Sequence, residues 1–313
     1  MHAAKKIAQK LAPNTFAALH NLKVRHRLSS TSRLLRSVIP ADDRLGLTEL
    51  KTLNTAYPPM GDEYPETRDS GYYHPRTVAA RAAERAAQII DWMPLERGEV
   101  LEVGCGDATV GAALQSHQVG YTGIDLSDTE FNLYATVTEA GVRLIKMNAH
   151  NMDFEDETFD LVFSYDSFEH FEEPSKSFEE IIRVTKPGGH ILLSFGPLFM
   201  SPWGLHVGYS IGVPYCQFLF NQETLMTFVD NEKLRPIGYY CNGWRVSQYR
   251  SLFTDQRVHC LSYNESKDLS HIPLIKKYAP IFRNHADNVE DLLEDLITDH
   301  ITAVFKRKRQ NPL

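Results

Sequence analysis

Val100-Leu-Glu-Val-Gly-Cys-Gly-Asp-Ala-Thr-Val110 and, shortly after it, Thr122-Gly-Ile-Asp-Leu126 are the two stretches whose reading decides the fold. Val100, Leu101 and Val103 read as a buried strand, Gly104 and Gly106 as a tight bend, and Asp107 to Leu114 as the opening of a helix. Glycine at both positions lets the backbone take angles that a Cβ would forbid and approach a ligand closely. Asp125 stands at the tip of the next strand, where a carboxylate meets the hydroxyl pair of a ribose. Strand, bare bend, helix and acid-tipped strand, in that order, describe a nucleoside site.

A lone G-x-G does not say which nucleoside. The dinucleotide fingerprint wants a small residue at position 109, where Thr109 stands, and an uncluttered helix N-terminus for its pyrophosphate. Here Asp107 occupies that end and Glu102 precedes the bend, so two carboxylates would repel a pyrophosphate and favour a cation. A nicotinamide-dependent oxidoreductase is the disfavoured alternative. A non-catalytic partner subunit that keeps the fold is another, against which the intact bend with both Glu102 and Asp125 speaks.

Glu102-x-Gly104-x-Gly106 resembles the first motif of the class I S-adenosylmethionine-dependent methyltransferases. By that resemblance Asp125 holds the cofactor ribose and Asn148-Ala149 reads its adenine. Phe154 to Ser164 looks like the loop and fourth strand, Phe168-Glu-His-Phe171 the segment after it, and Glu180 to Leu193 the turn into strand five. The implied fold is α/β: a Rossmann-like, seven-stranded, mostly parallel sheet with helices on both faces. The implied cofactor is S-adenosyl-L-methionine, and its site residues are Glu102, Gly104, Cys105, Gly106, Asp125, Leu126, Asn148, Ala149, His150 and Tyr165. Two departures stand out: Ala108 where the motif has a third glycine, and Asn148 where the adenine reader is an aspartate. The resemblance covers about residues 75 to 241 and the last strand.

The 313 residues, 42% hydrophobic and 23% charged, suffice for one enlarged domain. No apolar run is long enough to span a membrane. The net charge of −7 hides an asymmetry, because residues 1–41 carry eight Lys and Arg with no Asp or Glu, which leaves −15 for the rest. Residues 1–74 therefore read as a basic N-terminal helical arm and connector, with amphipathic helices broken near Pro13 and bounded by Pro40. Solvated or self-packed helices, a peripheral membrane contact through residues 1–40 and an organelle-targeting segment are three readings of this arm. Residues 75–313 form the methyltransferase domain, with insertions at about 196–221 and 243–297 whose aromatics are expected to make an acceptor lid. Strands are expected near 99–103, 120–124, 142–146, 159–164, 189–195, 235–241 and 300–306. Helices are expected near 75–93, 108–117, 128–140, 175–184 and 222–232, with Ser127 or Asp128 capping the third of these and Gly141 ending it.

Methyl transfer is a direct displacement, so the protein mainly aligns nucleophile and methyl group; orientation of this kind supplies roughly 7–11 kcal/mol. An oxygen acceptor would gain from a nearby base. His206, in the Gly- and Pro-rich loop after strand five, is the first candidate, His170 after strand four the second and Asp166 the third. The five acids from Asp153 to Asp160 read as an exposed loop, and no catalytic metal is expected. Cys105, Cys216, Cys241 and Cys260 lack any C-x-x-C spacing and read as reduced thiols of a cytoplasmic protein. The expected acceptor is a small molecule or sugar, methylated at oxygen. Nucleic acid is disfavoured, because the acidic remainder lacks a broad basic surface.

Overall fold

A computed structural model describes residues 13–39, 41, 43–59, 75–92, 98–117, 119–131, 133–208, 210–234, 241–285 and 288–309. Seven strands make one sheet in the order β3-β2-β1-β4-β5-β7-β6. They are β1 Glu99–Val103, β2 Gly120–Asp125, β3 Arg143–Lys146, β4 Phe159–Tyr165, β5 Thr185–Phe195, β6 Val258–Lys267 and β7 Thr298–Arg307. The first five pair in parallel, and β7 runs antiparallel to both β5 and β6. The order reverses at β1 and β4, the switch point outside whose strand C-termini such sheets bind ligands.

The alternation inside the strands explains the layers. Leu101, Val103, Val162, Ile191 and Leu193 point to one face, and Val100, Leu161, Phe163 and Leu192 to the other. Helices Pro75–Trp92 (α3) and Thr109–Leu114 (α4) cover the second face through Ala82, Ala86, Ile89, Val110 and Leu114. Pro174–Val184 (α6) and Val246–Leu252 (α9) cover the first through Phe178, Ile181, Val246 and Tyr249.

A third apolar cluster lies beyond the sheet. It joins α1 (Pro13–Ser37) and α2 (Leu47–Ala56) to residues 199–229 and to α10 (Ile272–Lys277), α11 (Ala279–Arg283) and α12 (Val289–Ile297). Leu28, Thr31, Leu35 and Val38 recur at helical spacing on the side of α1 that is covered, while Lys23, Arg25, Arg27, Arg33 and Arg36 stay exposed. Lys276 Nζ donates to Ser30 Oγ at 2.8 Å, and Arg36 pairs with Glu290. Over these residues the apolar stripe of the arm is already packed against protein. Residues 1–12 lie outside the described part. Pro13 stands at the start of α1, as suits a residue with fixed φ and no N–H in a first turn.

Three expectations need correction. The sheet's sixth strand is Val258–Lys267, inside what the sequence presents as a lid insertion; the strand expected at 235–241 falls outside the described residues except for Cys241, which is not in a strand. The edge strand β6 is mostly exposed and polar on both sides, so it lacks the alternation that announces a strand. The helix expected over 128–140 is only α5, Ala135–Ala140, capped by neither Ser127 nor Asp128. Ser127 Oγ instead receives the Thr129 N–H at 3.3 Å, and Asp128 takes Lys146 at 3.2 Å. Gly141 does end that helix, at φ +64°. Finally, β5 begins at Thr185, ahead of the glycines at 188 and 189.

Candidate active site

The bend after β1 is fixed by its neighbour strand. The N–H groups of Gly104 and Cys105 both donate to the Ile124 carbonyl, at 2.8 and 3.0 Å. Gly104 takes φ +74°, and a Cβ there would lie 2.5 Å from Ser167 Cβ. Ser167 Oγ donates to the Gly104 carbonyl at 2.8 Å, so the end of β4 braces the bend. Gly106, at φ +49°, has more room, with Glu130 Oε2 3.4 Å from the place of a Cβ.

Asp125 is oriented by the same bend. Its Oδ2 accepts the Gly106 N–H at 2.9 Å and its Oδ1 the Ser127 N–H at 3.0 Å. Each oxygen keeps accepting capacity, enough to take a diol. Beside it Leu126 is 69% exposed. A bare bend, an oriented acid and an uncovered apolar side chain fit an adenosyl group.

Glu102 is 3% exposed and accepts the Tyr121 hydroxyl proton in a hydrogen bond. Burial pushes its carboxyl up to about 8, against the lowering effect of that hydrogen bond, and the charge of Asp107 adds to the rise. Asp107 closes a turn just ahead of α4, its Oδ1 accepting from the Thr109 N–H at 3.0 Å and hydroxyl at 2.7 Å. Cys105 is buried against the α3 side of the sheet.

The other expected cofactor residues have partners of their own. Asn148 Oδ1 accepts the His150 N–H at 2.8 Å, closing its own turn, and Ala149 packs against the sheet. His150 Nε2 accepts the Glu173 N–H at 3.2 Å, which ties this loop to the start of α6. Tyr165 is buried under the Arg85 guanidinium, 4.6 Å above its ring. Asp153, Glu155, Asp156 and Glu157 lie on the loop before β4, where Asp156 pairs with Arg183, while Asp160 is in β4 and pairs with Lys186.

The other half of the site gathers at the ends of β4 and β5. Asp166, at φ +47°, pairs with Arg85 of α3 and stands 3.4 Å from His300 Nε2. Burial would raise its carboxyl, but the hydrogen bonds and charges of His300 and Arg85 outweigh it and hold the group below the usual range. For His300 burial lowers the pKa, yet Asp166 and Asp299 carry it to about 9. Asp166 is thus a paired anion instead of a free base. His206, at φ +56°, is kept below its ordinary value by burial; its Nε2 lies 2.9 Å from the Pro197 carbonyl and 3.2 Å from Cys241 Sγ. The His170 and His206 rings meet edge to face, centroids 4.7 Å apart. Next to them Glu169 is 1% exposed, with its carboxyl raised to about 8 by burial.

Sequence reasoning named Asp166, His170 and His206 but missed Arg85, Cys241 and His300. Only proximity in the folded sheet marks these three. The expected lid aromatics Tyr215, Phe218 and Phe220 belong to the third apolar cluster, whereas Trp244 and Tyr249 belong to the sheet.

Sheet order, bend and acid together define a nucleoside-binding α/β domain. Residues 101–193 match the family model described as a methyltransferase domain, and the sheet order and bend bear out the resemblance to the class I S-adenosylmethionine-dependent methyltransferases. S-adenosylmethionine is the methyl donor that this family implies. The chain is 31% identical over 183 residues to the phthiotriol/phenolphthiotriol dimycocerosates methyltransferase of Mycobacterium tuberculosis, an alignment covering 56% of this chain and 65% of that protein. An equivalent numbered 1 from Mycobacterium ulcerans is 32% identical over 187 residues, with the same shares covered. The chain thus spans just under two thirds of the length of these relatives. Among solved structures, a Pyrococcus horikoshii protein aligns over 79% of this chain and 100% of its own, with a TM-score of 0.48 and 18% identity. An S-adenosylmethionine-dependent methyltransferase of Mesorhizobium loti aligns over 73% and 100%, at 0.47 and 18%.

Proposed function

We propose that this chain methylates an oxygen of a small alcohol-type acceptor with a sizeable apolar portion, using S-adenosylmethionine. The observation that carries the reading is the bend at Gly104–Gly106 with Asp125 oriented across it by the Gly106 N–H. The bound donor would supply a methyl group on a positively charged sulfur, open to direct displacement by the acceptor.

This chain's residues then have separable tasks. Asp125 receives the ribose hydroxyls, with Leu126 as an apolar face beside it, and Asn148 and Ala149 stand at the adenine end. Asp107 and Asp125 set two carboxylates beside the bend, which favours a cationic ligand. On the acceptor side the two imidazoles of His170 and His206 supply the polar surface, and Asp166 holds its place through Arg85 and His300. An alcohol acceptor is supported by the relatives named for phthiotriol and phenolphthiotriol dimycocerosates, whose names denote alcohols. Among the described residues no helix is long and apolar enough to cross a membrane.

Isothermal titration with S-adenosylhomocysteine tests the reading. Wild type should bind it, and Asp125→Ala should lose on the order of 100-fold in affinity, as expected when a charged hydrogen-bond acceptor worth about 1.5–3 kcal/mol is removed. Absence of heat with both the donor and its demethylated product, or preferential binding of NADH, would overturn it.

A further inference from the structure

Three side chains from distant parts of the chain converge on the acceptor side. His170 closes the turn after β4, His206 lies in the loop after β5, and Cys241 begins the segment leading to α9. Their ligand atoms all lie within 4.8 Å of one another. Cys241 Sγ stands 3.2 Å from His206 Nε2. Bonds of about 2.3 Å to sulfur and 2.0–2.1 Å to nitrogen around one tetrahedral ion separate the two ligands by roughly 3.5 Å, so this pair already has the right spacing.

The Cys241 thiol, at 3.7 Å, and His206 Nε2 both reach the Pro197 carbonyl, so one backbone oxygen serves two side chains of the cluster. His206 Nε2 faces the thiol and, at 2.9 Å, the Pro197 carbonyl. One ring nitrogen can donate to the carbonyl or accept the thiol proton, not both. Glu169 adds two buried oxygens without a hydrogen-bond partner. Its Oε1 is 3.9 Å from His170 Nε2. A buried carboxylate short of donors is costly unless something positive meets it.

The position of Cys241 is not accidental slack. The Asn242 N–H donates to the Glu169 carbonyl at 2.7 Å, and the Asn242 amide to the Phe168 carbonyl at 3.2 Å. Tyr249 OH holds Asn242 Oδ1 at 2.9 Å. The segment carrying the thiol is thereby fastened to the turn carrying Glu169 and His170.

We propose that His170, His206 and Cys241, beside the buried Glu169 carboxyl group, bind a divalent cation of the zinc type. Thiolate and imidazole ligands select such a borderline-soft ion over magnesium or calcium, which want oxygen throughout. Binding releases the thiol proton. The inference deepens the proposed function at one point, since it makes His206 a ligand instead of a lone proton acceptor, and it rests on that reading only for calling this the acceptor side.

Cobalt(II) added to reduced, chelator-treated full-length protein provides the test. The expected result is a near-ultraviolet thiolate-to-cobalt charge-transfer band with the visible bands of a tetrahedral site, saturating at a single equivalent and displaced by zinc. Cys241→Ser should abolish the near-ultraviolet band, and His206→Ala should weaken cobalt binding by about tenfold or more. Titration of each sample with S-adenosylhomocysteine reports whether the sheet and its bend are intact. Wild type that binds S-adenosylhomocysteine but gives no saturating cobalt spectrum overturns the metal site, as does a thiolate band that survives in Cys241→Ser. A cobalt site in protein that ignores S-adenosylhomocysteine would instead leave the metal site standing and sink the proposed function.

Discussion

The two halves of the site are built in opposite ways. The edge at β1 and β2 is assembled from neighbours in sequence: Glu102, Gly104, Gly106, Asp107, Asp125 and Leu126 lie within one strand–helix–strand unit, and its hydrogen bonds run mainly between backbone N–H groups and Asp125 or Ile124. The edge at β4, β5 and β7 is assembled from Arg85, Asp166, His170, His206, Cys241 and His300, which meet only through long-range packing and side-chain charge. The first edge is acidic near its bend and suits a cationic nucleoside. The second balances its carboxylates with Arg85 and His300 and surrounds a pair of imidazoles with apolar walls. A local edge can be carried from one relative to another as a motif, whereas an edge built by packing can change its acceptor by changing any of several elements.

The largest break should come at Gly104. A Cβ there falls 2.5 Å from Ser167 Cβ, in a backbone at φ +74°. Gly104→Ala combines left-handed strain of about 1–2 kcal/mol with overpacking of about 1–3 kcal/mol. It should therefore cost around 3 kcal/mol in urea unfolding and also spoil S-adenosylhomocysteine binding, because the strand-end bracket through Ser167 must move. A loss under 1 kcal/mol would mean that Ser167 does not brace the bend. The two edges are coupled at this contact and should fail together there.

His300 breaks the second edge by itself, through pH. Its folded-state pKa, about 9, lies above the ordinary 6.5, so the stability it contributes is fully present below pH 6.5 and disappears as pH rises through 9. Asp166, with its pKa held below the ordinary value, contributes stability that is present at neutral pH and lost only as strong acid protonates it. Between them the pair is strongest around neutrality. A difference of this size corresponds to roughly 3 kcal/mol. Urea unfolding of wild type and His300→Gln, compared at pH 6.5 and 9.5, should show the gap between them shrinking by that order. Differencing the two proteins removes the shared titration of Glu102, which does not feel His300. A gap independent of pH would show that His300 is not charged by Asp166 and Asp299.

The contrast also explains what could be read in the sequence. Val100–Leu114 and Thr122–Leu126 disclose strand, bend and acid because every partner sits a few residues away or on the adjacent strand. The parallel core strands show as apolar runs for the same reason. The edge strand β6 does not, since its ladder with β7 satisfies the backbone while side chains such as His259, Cys260 and Asn264 stay exposed. Asp166, His170 and His206 were legible as polar residues on loops after strands. Their partners were not: Arg85 looks like one more arginine on an amphipathic helix, His300 like the head of a last strand, and Cys241 like an unpaired thiol. Their roles come from the third dimension alone.

The smallest effect sharpens the local edge. Ala108 stands where the resembled motif has glycine, and it takes φ +55° as the residue preceding α4, fully buried and without a side-chain cap. A left-handed alanine carries about 1–2 kcal/mol of strain, while glycine adds back about 0.4–1 kcal/mol through the freedom of the unfolded chain. Ala108→Gly should therefore stabilise the protein by about 0.5–1 kcal/mol in urea unfolding, with S-adenosylhomocysteine affinity unchanged, because the Asp125 to Gly106 bond is not touched. Ala108 also buries its methyl group beside α3, and if that packing dominates, the variant will be less stable than wild type. The sign of this one measurement decides whether the bend keeps its shape in spite of Ala108 or with its help.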